Sequence, residues 1–561
     1  MRRSYVKTFL LVLLLIIILA PMAVWMSGSQ PDQDAYDAEH VIKPLISLYN
    51  QSPLHHADSP VMPFMPIEEI WAIEDERTQA QQPLVTGMRN GSQVLGYDAE
   101  SQTFFCTIGT HFTDDAWPEL QLYAQGAADD TPVQVAWTTD YWYDTPTSAV
   151  EDGYAYELFA YTDNEFQYIN LVFTGLPIVT LQTEADIQDA YTPACVSISS
   201  AQNAPITAMA QVHERGGGYR KQIDKRSYRI EFQGISRTGR AHAYEQNVLD
   251  MGVDSDWLLL ANASNKEFVH NYLAFDLYNR WSEGNHLFMQ QRSRIVELFI
   301  GNEYKGMYQL MERVDPRQEI LDAGGNPDTD MAVRVITRRN PSDRPIEKIS
   351  SVRKNLLEYL YAPGANADRA FSTAAIYSAI NGWLENKLTD EEFAQLVSTH
   401  VDIENFISMY LFYQIAGLTW DNTDNNLYIY MLQEDGKPIL HLAPWDMDSA
   451  FFYGYFGNPE EYRFIQNLWA IGRMLDLNVM ACRSMLHSMF ESKCKTILSD
   501  EAIDDWIHSV ELDIGVASAY LRESEKWYGE PNHLELSELI IHQKEQVALT
   551  RKFINERWPL P

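Results

Sequence analysis

The sequence predicts an α+β chain in which a β-sandwich-like domain precedes a two-lobed domain, β-rich first and helical afterwards. Three observations carry this reading. Short apolar runs separated by turn residues recur at regular intervals over residues 65–205. From residue 206 strand-like runs alternate with a helical stretch, and beyond Ser350 the apolar spacing is helical, broken only by a hairpin at 427–443.

At 561 residues the chain is long enough for two or three domains, and 46% hydrophobic residues with 12% aromatics mark it as globular. Its 42 basic against 78 acidic residues give a net charge of −36. That excess excludes a nucleic-acid partner, which needs a basic surface, and adsorption to anionic lipid.

The first 26 residues form a targeting element. Met1–Lys7 is cationic, and the 19 residues Thr8–Met26 carry no charge, enough to span a bilayer as a helix. The cationic flank stays inside, so the rest of the chain is expected on the extracytoplasmic side of the cell membrane, its only membrane contact being this helix. Pro21-Met22-Ala23 leaves a cleaved signal peptide, and hence a secreted protein, as the alternative to a signal anchor. Residues 27–64 are a polar spacer.

The domain at 65–205 is expected to contain strands at Thr103–Ile108, Val133–Trp137, Tyr154–Tyr161 and Tyr168–Phe173. Its wealth of Tyr and Trp suits a binding module or an aromatic core. Cys106 could bridge Cys195, and Cys482 could bridge Cys494, or all four remain free thiols; none has C-x-x-C spacing.

The second domain spans 206–561. Strands Ala210–His213 and Ser227–Phe232 flank Glu214-Arg215-Gly216-Gly217-Gly218-Tyr219, where consecutive glycines let backbone N–H groups turn toward an anion and Arg215 adds charge. In an extended strand Lys225, Ser227 and Arg229 share a side. That basic stripe serves an anionic ligand or pairs with Asp224 and Glu231. A short run at Trp257–Leu260, a helix at Glu267–Trp281, and strands at Arg294–Ile300 and Met307–Glu312 follow.

Residues 418–452 hold two polar clusters, Asp421–Asn426 and Asp446-Met447-Asp448. Between them Leu427–Leu432 and Ile439–Ala443 form a hairpin hinged at Glu434-Asp435-Gly436-Lys437. The hairpin returns Asp446 to the end where Asp421 and Asn426 lie. Clusters of this kind are also ordinary turn chemistry, but oxygen ligands gathered at one end suit Mg²⁺ held with a phosphate. Asp421, with Asn426 five residues on and Asp446 after the hairpin, follows the order of a kinase catalytic Asp, metal-binding Asn and second metal-binding Asp.

The ordered segments resemble the spore-coat protein H (CotH) kinases. They are Arg215-Gly216 through Lys225-Arg226-Ser227-Tyr228-Arg229, Asp256–Asn262, Asn271–Tyr278, Val296–Tyr308 running to Glu312, Trp420-Asp421 with Asn426, and Pro444–Asp448. They cover residues 206–460, with a helical part at 461–561. The resemblance implies a divergent two-lobed atypical kinase, with ATP as donor, Mg²⁺ or Mn²⁺ as cofactor and a protein hydroxyl as acceptor. It implies that Asp421 acts on that hydroxyl, and that Asn426 and Asp446 hold the metal with Asp448 as an extra ligand. The phosphates would be met by Arg215 and by one of Lys225, Arg226 and Arg229, with Glu297 and Glu312 as acidic residues able to pair with that cation. The family often carries Lys-Lys-Ser-Tyr-Lys where this chain has Lys225-Arg226-Ser227-Tyr228-Arg229, so the choice among the three cations stays open. ATP is scarce outside a membrane. The alternative is therefore a non-catalytic cell-surface structural or ligand-binding protein of the same fold. A metal-dependent hydrolase ranks last, for want of convergent histidines.

Overall fold

The computed structural model describes residues 42–561 except 57–58, 63, 110–119, 128–131, 139–144, 217–223, 238, 264–267, 284–290, 336–356, 362–387, 419–425, 452–469, 515–516, 533 and 561. Thr8–Met26, the glycine-rich segment beyond Gly216, and Asp421 with Trp420 lie outside the described residues. Among the described residues no helix is long and apolar enough to cross a membrane.

Strands and helices mix throughout the chain. Up to Thr174 it forms two sheets. One orders Ser59–Pro60, Leu122–Gly126, Val85–Asn90 and Gln93–Val94. The other orders Gly96–Asp98, Thr103–Thr107, Glu165–Thr174, Ala155–Tyr161 and Gln134–Trp137, with Thr78–Gln79 added beside Glu165–Thr174. Val85, Met88 and Leu122 of the first meet Phe104, Leu158 and Phe173 of the second in one core. The four strands expected here all form, with Thr103–Thr107 buried along its whole length and the others partly exposed.

Seven longer strands follow: β1 (Ile178–Thr183), β2 (Thr192–Ser199), β3 (Ile206–Arg215), β4 (Ser227–Ile235), β5 (Asp256–Leu260), β6 (Ser293–Ile300) and β7 (Glu303–Glu312). Their order is β3-β2-β1-β6-β7-β5-β4, and β4 pairs back onto β3. The ring is therefore closed, which removes both open edges. All its pairings are antiparallel except β1 with β6. Strand parity fills the interior: Tyr228, Ile230 and Phe232 of β4 join Val196, Val212, Trp257, Leu298 and Leu310 there. Arg229 and Glu231, one position out of phase, fall on the other face. The expected domain break at 205–206 lies in the turn between β2 and β3, adjacent antiparallel strands of this barrel. Alternation alone does not reveal which sheet a strand joins.

Against the barrel lies a larger core. It contains helix α1 (His270–Ser282) and a second sheet of β8 (Met331–Val335), β9 (Leu357–Tyr361), β10 (Leu427–Glu434) and β11 (Lys437–Pro444), in the order β9-β8-β10-β11. Strand β9 corrects the expectation that the chain beyond Ser350 is broken only by the hairpin. A five-residue run carries too little periodicity to separate strand from helix, and its pairing with β8 decides. Helix α2 (Ile403–Ile415) buries every residue but Glu404. Its Asn405 exchanges two hydrogen bonds with the Leu442 backbone of β11, at 2.7 and 3.1 Å. Near the C-terminus helix α3 (Ala517–Tyr528) packs on β7.

Asp402 caps α2, its carboxylate accepting from the Asn405 N–H at 3.0 Å and lying 3.2 Å from Nδ1 of buried His441. Burial pushes this carboxyl up, but His441 and the backbone donors more than offset it, so its pKa falls below the ordinary value. A depressed folded pKa contributes stability that is present above the unfolded value, about 4, and lost as pH falls through the folded one. Asp402→Asn retains a capping side chain. It is therefore expected to cost about 1 kcal/mol at neutral pH, the worth of a charge at a helix N-terminus. It should also flatten the acid limb of a plot of denaturant midpoint against pH. An acid limb as steep as that of the parent would disprove the assignment.

The four cysteines are free thiols, three of them buried. Burial pushes Cys106 up to about 12 against an opposing contact from Asn90, and pushes Cys195 to about 12 as well. Neither is a reactive thiolate.

Candidate functional site

The hairpin closes through a two-residue turn, Asp435 (φ 49°) and Gly436 (φ 77°). Both positive values match the twist of the flanking strands, which is why Asp-Gly is a hairpin signal. Register follows from this turn, with Glu434 opposite Lys437 and, at the far end, Leu427 opposite Pro444. The Trp445 N–H then donates to the Asn426 carbonyl at 3.1 Å. Asn426 and Asp446 thus leave the sheet side by side, as the sequence pattern implies.

Asp446 itself is left-handed (φ 53°), a conformation that Asp tolerates better than most residues. It turns the chain out of β11 and leaves its own side chain exposed while Trp445 and Met447 are buried on either side. Trp445 stacks on Tyr428 with ring centroids 5.5 Å apart, and Phe275 meets it edge-on at 6.3 Å. Beyond the turn the loop is pinned to the start of α1. Asn271 Oδ1 accepts from the Met447 N–H at 3.0 Å, and His270 Nδ1 donates to the Ala450 carbonyl at 3.0 Å. The Phe451 N–H reaches Ala416 at 2.7 Å.

Asn271 is held in its turn. Its amide N–H donates to Gln309 Oε1 at 3.0 Å, Asn262 donates to the same oxygen at 2.8 Å, and Gln309 donates to Ser293 at 3.1 Å. Left-handed Asn262, Phe268, Asp446 and Phe451 all belong to this region. Such backbone persists only where surrounding contacts over-determine it, and it concentrates at functional sites.

The barrel contributes charge. Arg215 ends β3, and burial lowers its pKa while Asp446 and Tyr428 push the other way and Arg313 and Arg229 add to the lowering. Tyr428 lies within electrostatic reach of Arg334, Arg215, Asp446 and Arg313. Arg215, Asp446 and Tyr428 thus lie within electrostatic reach of one another, with Arg313 in reach of Arg215 and Tyr428, and Arg334 in reach of Tyr428. Arg229 forms a two-pronged contact with Asp256 at 2.8 and 2.6 Å and pairs with Glu231, and Arg313 shares Asp256 at 2.6 Å. The two guanidiniums are thereby balanced by two carboxylates, Asp256 and Glu231, at that edge.

Other sequence-chosen residues are placed elsewhere. Lys225 is buried, its ammonium donating to the Met307 carbonyl at 2.6 Å and to Glu523 of α3 at 2.5 Å. The Phe268 and Tyr308 rings lie 4.5 and 4.8 Å from it. Burial lowers its pKa and Glu523 opposes the fall. Glu297 and Glu312, expected as acidic residues able to pair with the phosphate-binding cation, do not pair with Lys225. Glu297, fully buried, takes Arg522 at 2.8 Å and the Tyr304 hydroxyl at 2.8 Å. Glu312 takes Arg292 at 3.1 Å, and burial raises its pKa against that partner. Arg226 lies near the Tyr228 phenol.

Sequence reasoning gave no role to Asn271, Gln309 or Arg313 and passed over Glu523. The two amides had a signal, since each is a polar residue inside an apolar run. Glu523 had none, as it stands 298 residues from Lys225.

Among the described residues no group of three or more His, Cys, Asp or Glu could hold a metal ion. Asn426, Asp446 and Asp448 offer an amide and two carboxylates, hard oxygen donors of the kind Mg²⁺ or Mn²⁺ takes. The family model of the CotH kinase protein matches residues 212–557. No curated protein matches the chain.

Proposed function

From its membership of the CotH kinase family, we propose that the chain is an atypical protein kinase, transferring phosphate from ATP to a protein hydroxyl on the extracytoplasmic side. The barrel serves as the first lobe, and the β8–β11 sheet with its helices as the second. The single observation that carries the reading is the Asp446 turn, held left-handed beside Asn426 within electrostatic reach of Arg215. A carboxylate fixed at that point, next to an amide and facing cations, suits a nucleotide triphosphate with its divalent ion.

Asn426, Asp446 and Asp448 would hold Mg²⁺ or Mn²⁺, which supplies neutralising charge at the phosphates. Arg215, with Arg313 next to it, meets the remaining phosphate oxygens. Lys225 is paired with Glu523 and Arg229 with Asp256 and Glu231, whereas Arg215 is within electrostatic reach of Asp446, and the phosphate contact is assigned to it on that ground. Asn271 keeps the Met447 N–H in place and so fixes where the Asp446 carboxylate stands. Asp421 accepts the proton of the acceptor hydroxyl. The N-terminal apolar segment anchors the chain, and the acidic surface leaves the substrate protein to be recognised by neutral or basic segments.

Calorimetry of the full chain with Mg-ATP separates the roles. Asp446→Ala is expected to lose metal-dependent nucleotide affinity. Asp421→Asn is expected to keep that affinity while transfer falls ~10²–10⁴-fold, the usual contribution of a general base. Unchanged affinity in Asp446→Ala would contradict the ligand assignment, and equal loss of binding and transfer in Asp421→Asn would move that residue into the metal shell.

A further inference from the structure

Apart from the Asp446 loop, the chain has a cleft of about 330 Å³ where the barrel meets the connection from the N-terminal sheets. Its polar lining includes Asn203, Asp250 and Arg294, and its apolar lining includes Leu249, Ile295 and Tyr272. None of these belongs to the site described above. The volume is at the lower end for ligand pockets, which fits a small metabolite.

The two charges in the cleft are arranged unusually. Leu249 and Asp250 are both left-handed, with φ 50° and 55°, so the backbone presents Asp250 from a turn that few residue pairs adopt. Its carboxylate accepts from the Asn203 amide at 2.5 Å and the Asn247 amide at 3.1 Å. Both donors are neutral amides, and the carboxylate retains lone pairs for another partner. Arg294 donates one N–H to the Ser293 carbonyl at 3.1 Å. Among the described residues it has no acidic partner, in a chain with 78 acidic residues against 42 basic ones. No ion pair joins Arg294 to Asp250 among the described residues either. One cleft thus carries an exposed cation and an exposed anion, with no ion pair between them among the described residues, beside the nearly buried Leu249, Ile295 and Tyr272.

We propose that this cleft binds a free α-amino acid with an apolar side chain. Arg294 takes its carboxylate, Asp250 its ammonium, and Leu249, Ile295 and Tyr272 its side chain. A zwitterion loses hydration at both ends on binding, and only a site carrying both signs replaces it. A simple anion would be repelled by Asp250, and a simple cation by Arg294.

The test is calorimetry on the full chain with leucine, methionine and phenylalanine, beside N-acetyl-leucine, which lacks the ammonium, and leucinamide, which lacks the carboxylate. At least one free amino acid should saturate the protein, and each blocked form of leucine should bind about tenfold or more weakly, as expected for a lost charge-assisted hydrogen bond. Asp250→Asn keeps a residue that tolerates the left-handed turn. It should bind leucine and N-acetyl-leucine alike, and Arg294→Gln should do the same for leucine and leucinamide. The proposal is overturned if no free amino acid saturates the chain at millimolar concentration, or if the blocked forms bind the parent as tightly as leucine. It is also overturned if discrimination survives both substitutions. Should either variant fail to fold, the comparison of free and blocked ligands on the parent chain decides.

Discussion

A fragment starting at residue 206 is expected not to fold. It keeps the whole of the family-matched region, residues 212–557, but loses β1 and β2, two of the seven strands that close the barrel. The β3 edge that paired with β2 and the β6 edge that paired with β1 are then left open. The interior also loses Val179, Leu181, Ile187, Val196 and Ile198. Burying a side chain of this kind is worth about 1.5–3 kcal/mol, so the five together contribute about 8–15 kcal/mol. A domain's whole stability is about 5–15 kcal/mol. The fragment should therefore show no cooperative transition in a urea titration and should aggregate through its open edges. A fragment starting at residue 175 keeps the ring and should regain the transition. A cooperative, soluble 206–561 fragment would show that the strands at 178–199 are dispensable.

The second large effect concerns Lys225 and Glu523, whose side chains are 2% and 0% exposed. Removing one member of such a pair leaves an uncompensated buried charge, and Glu523→Ala should cost about 3–5 kcal/mol in denaturant unfolding. The carboxylate also accepts from the Met307 N–H at 2.7 Å. At Gly306, a left-handed glycine (φ 92°), any side chain would collide with it. The double variant Lys225→Met/Glu523→Leu replaces the pair by apolar groups and should recover most of the loss. On the proposal that Arg215 and not Lys225 meets the phosphates, it should also keep phosphate transfer within a few-fold. A loss under about 1 kcal/mol in Glu523→Ala would mean that the pair is not buried as described.

Local signals in the sequence proved the readable ones. Asp435-Gly436 between two apolar runs is enough for the hairpin, and the hairpin alone brings Asn426 beside Asp446. The alternation of β4 places Arg229 off the barrel interior. What could not be read depends on distant partners. Lys225, Ser227 and Arg229 look like one basic stripe, yet the chain ends the stripe at Lys225 because a helix from the far C-terminus brings Glu523 to it. Arg229 in turn is absorbed by Asp256 and Glu231. Closure of the barrel rests on the parallel pairing of β1 with β6, between strands over a hundred residues apart, and no local pattern encodes that. The left-handed turn at Asp446 was equally hidden, since Asp adopts either backbone form and the choice is made by Asn271 and His270 gripping the loop.

The account stands or falls on phosphoryl transfer. The direct measurement is incorporation of label from γ-labelled ATP into a basic or neutral acceptor protein by the full chain with Mn²⁺ or Mg²⁺, beside Asp446→Ala and a metal-free control. The account predicts metal-dependent incorporation by the parent chain and none above background with Asp446→Ala. Incorporation that persists in Asp446→Ala, or metal-dependent nucleotide binding with no transfer to any acceptor, would contradict it.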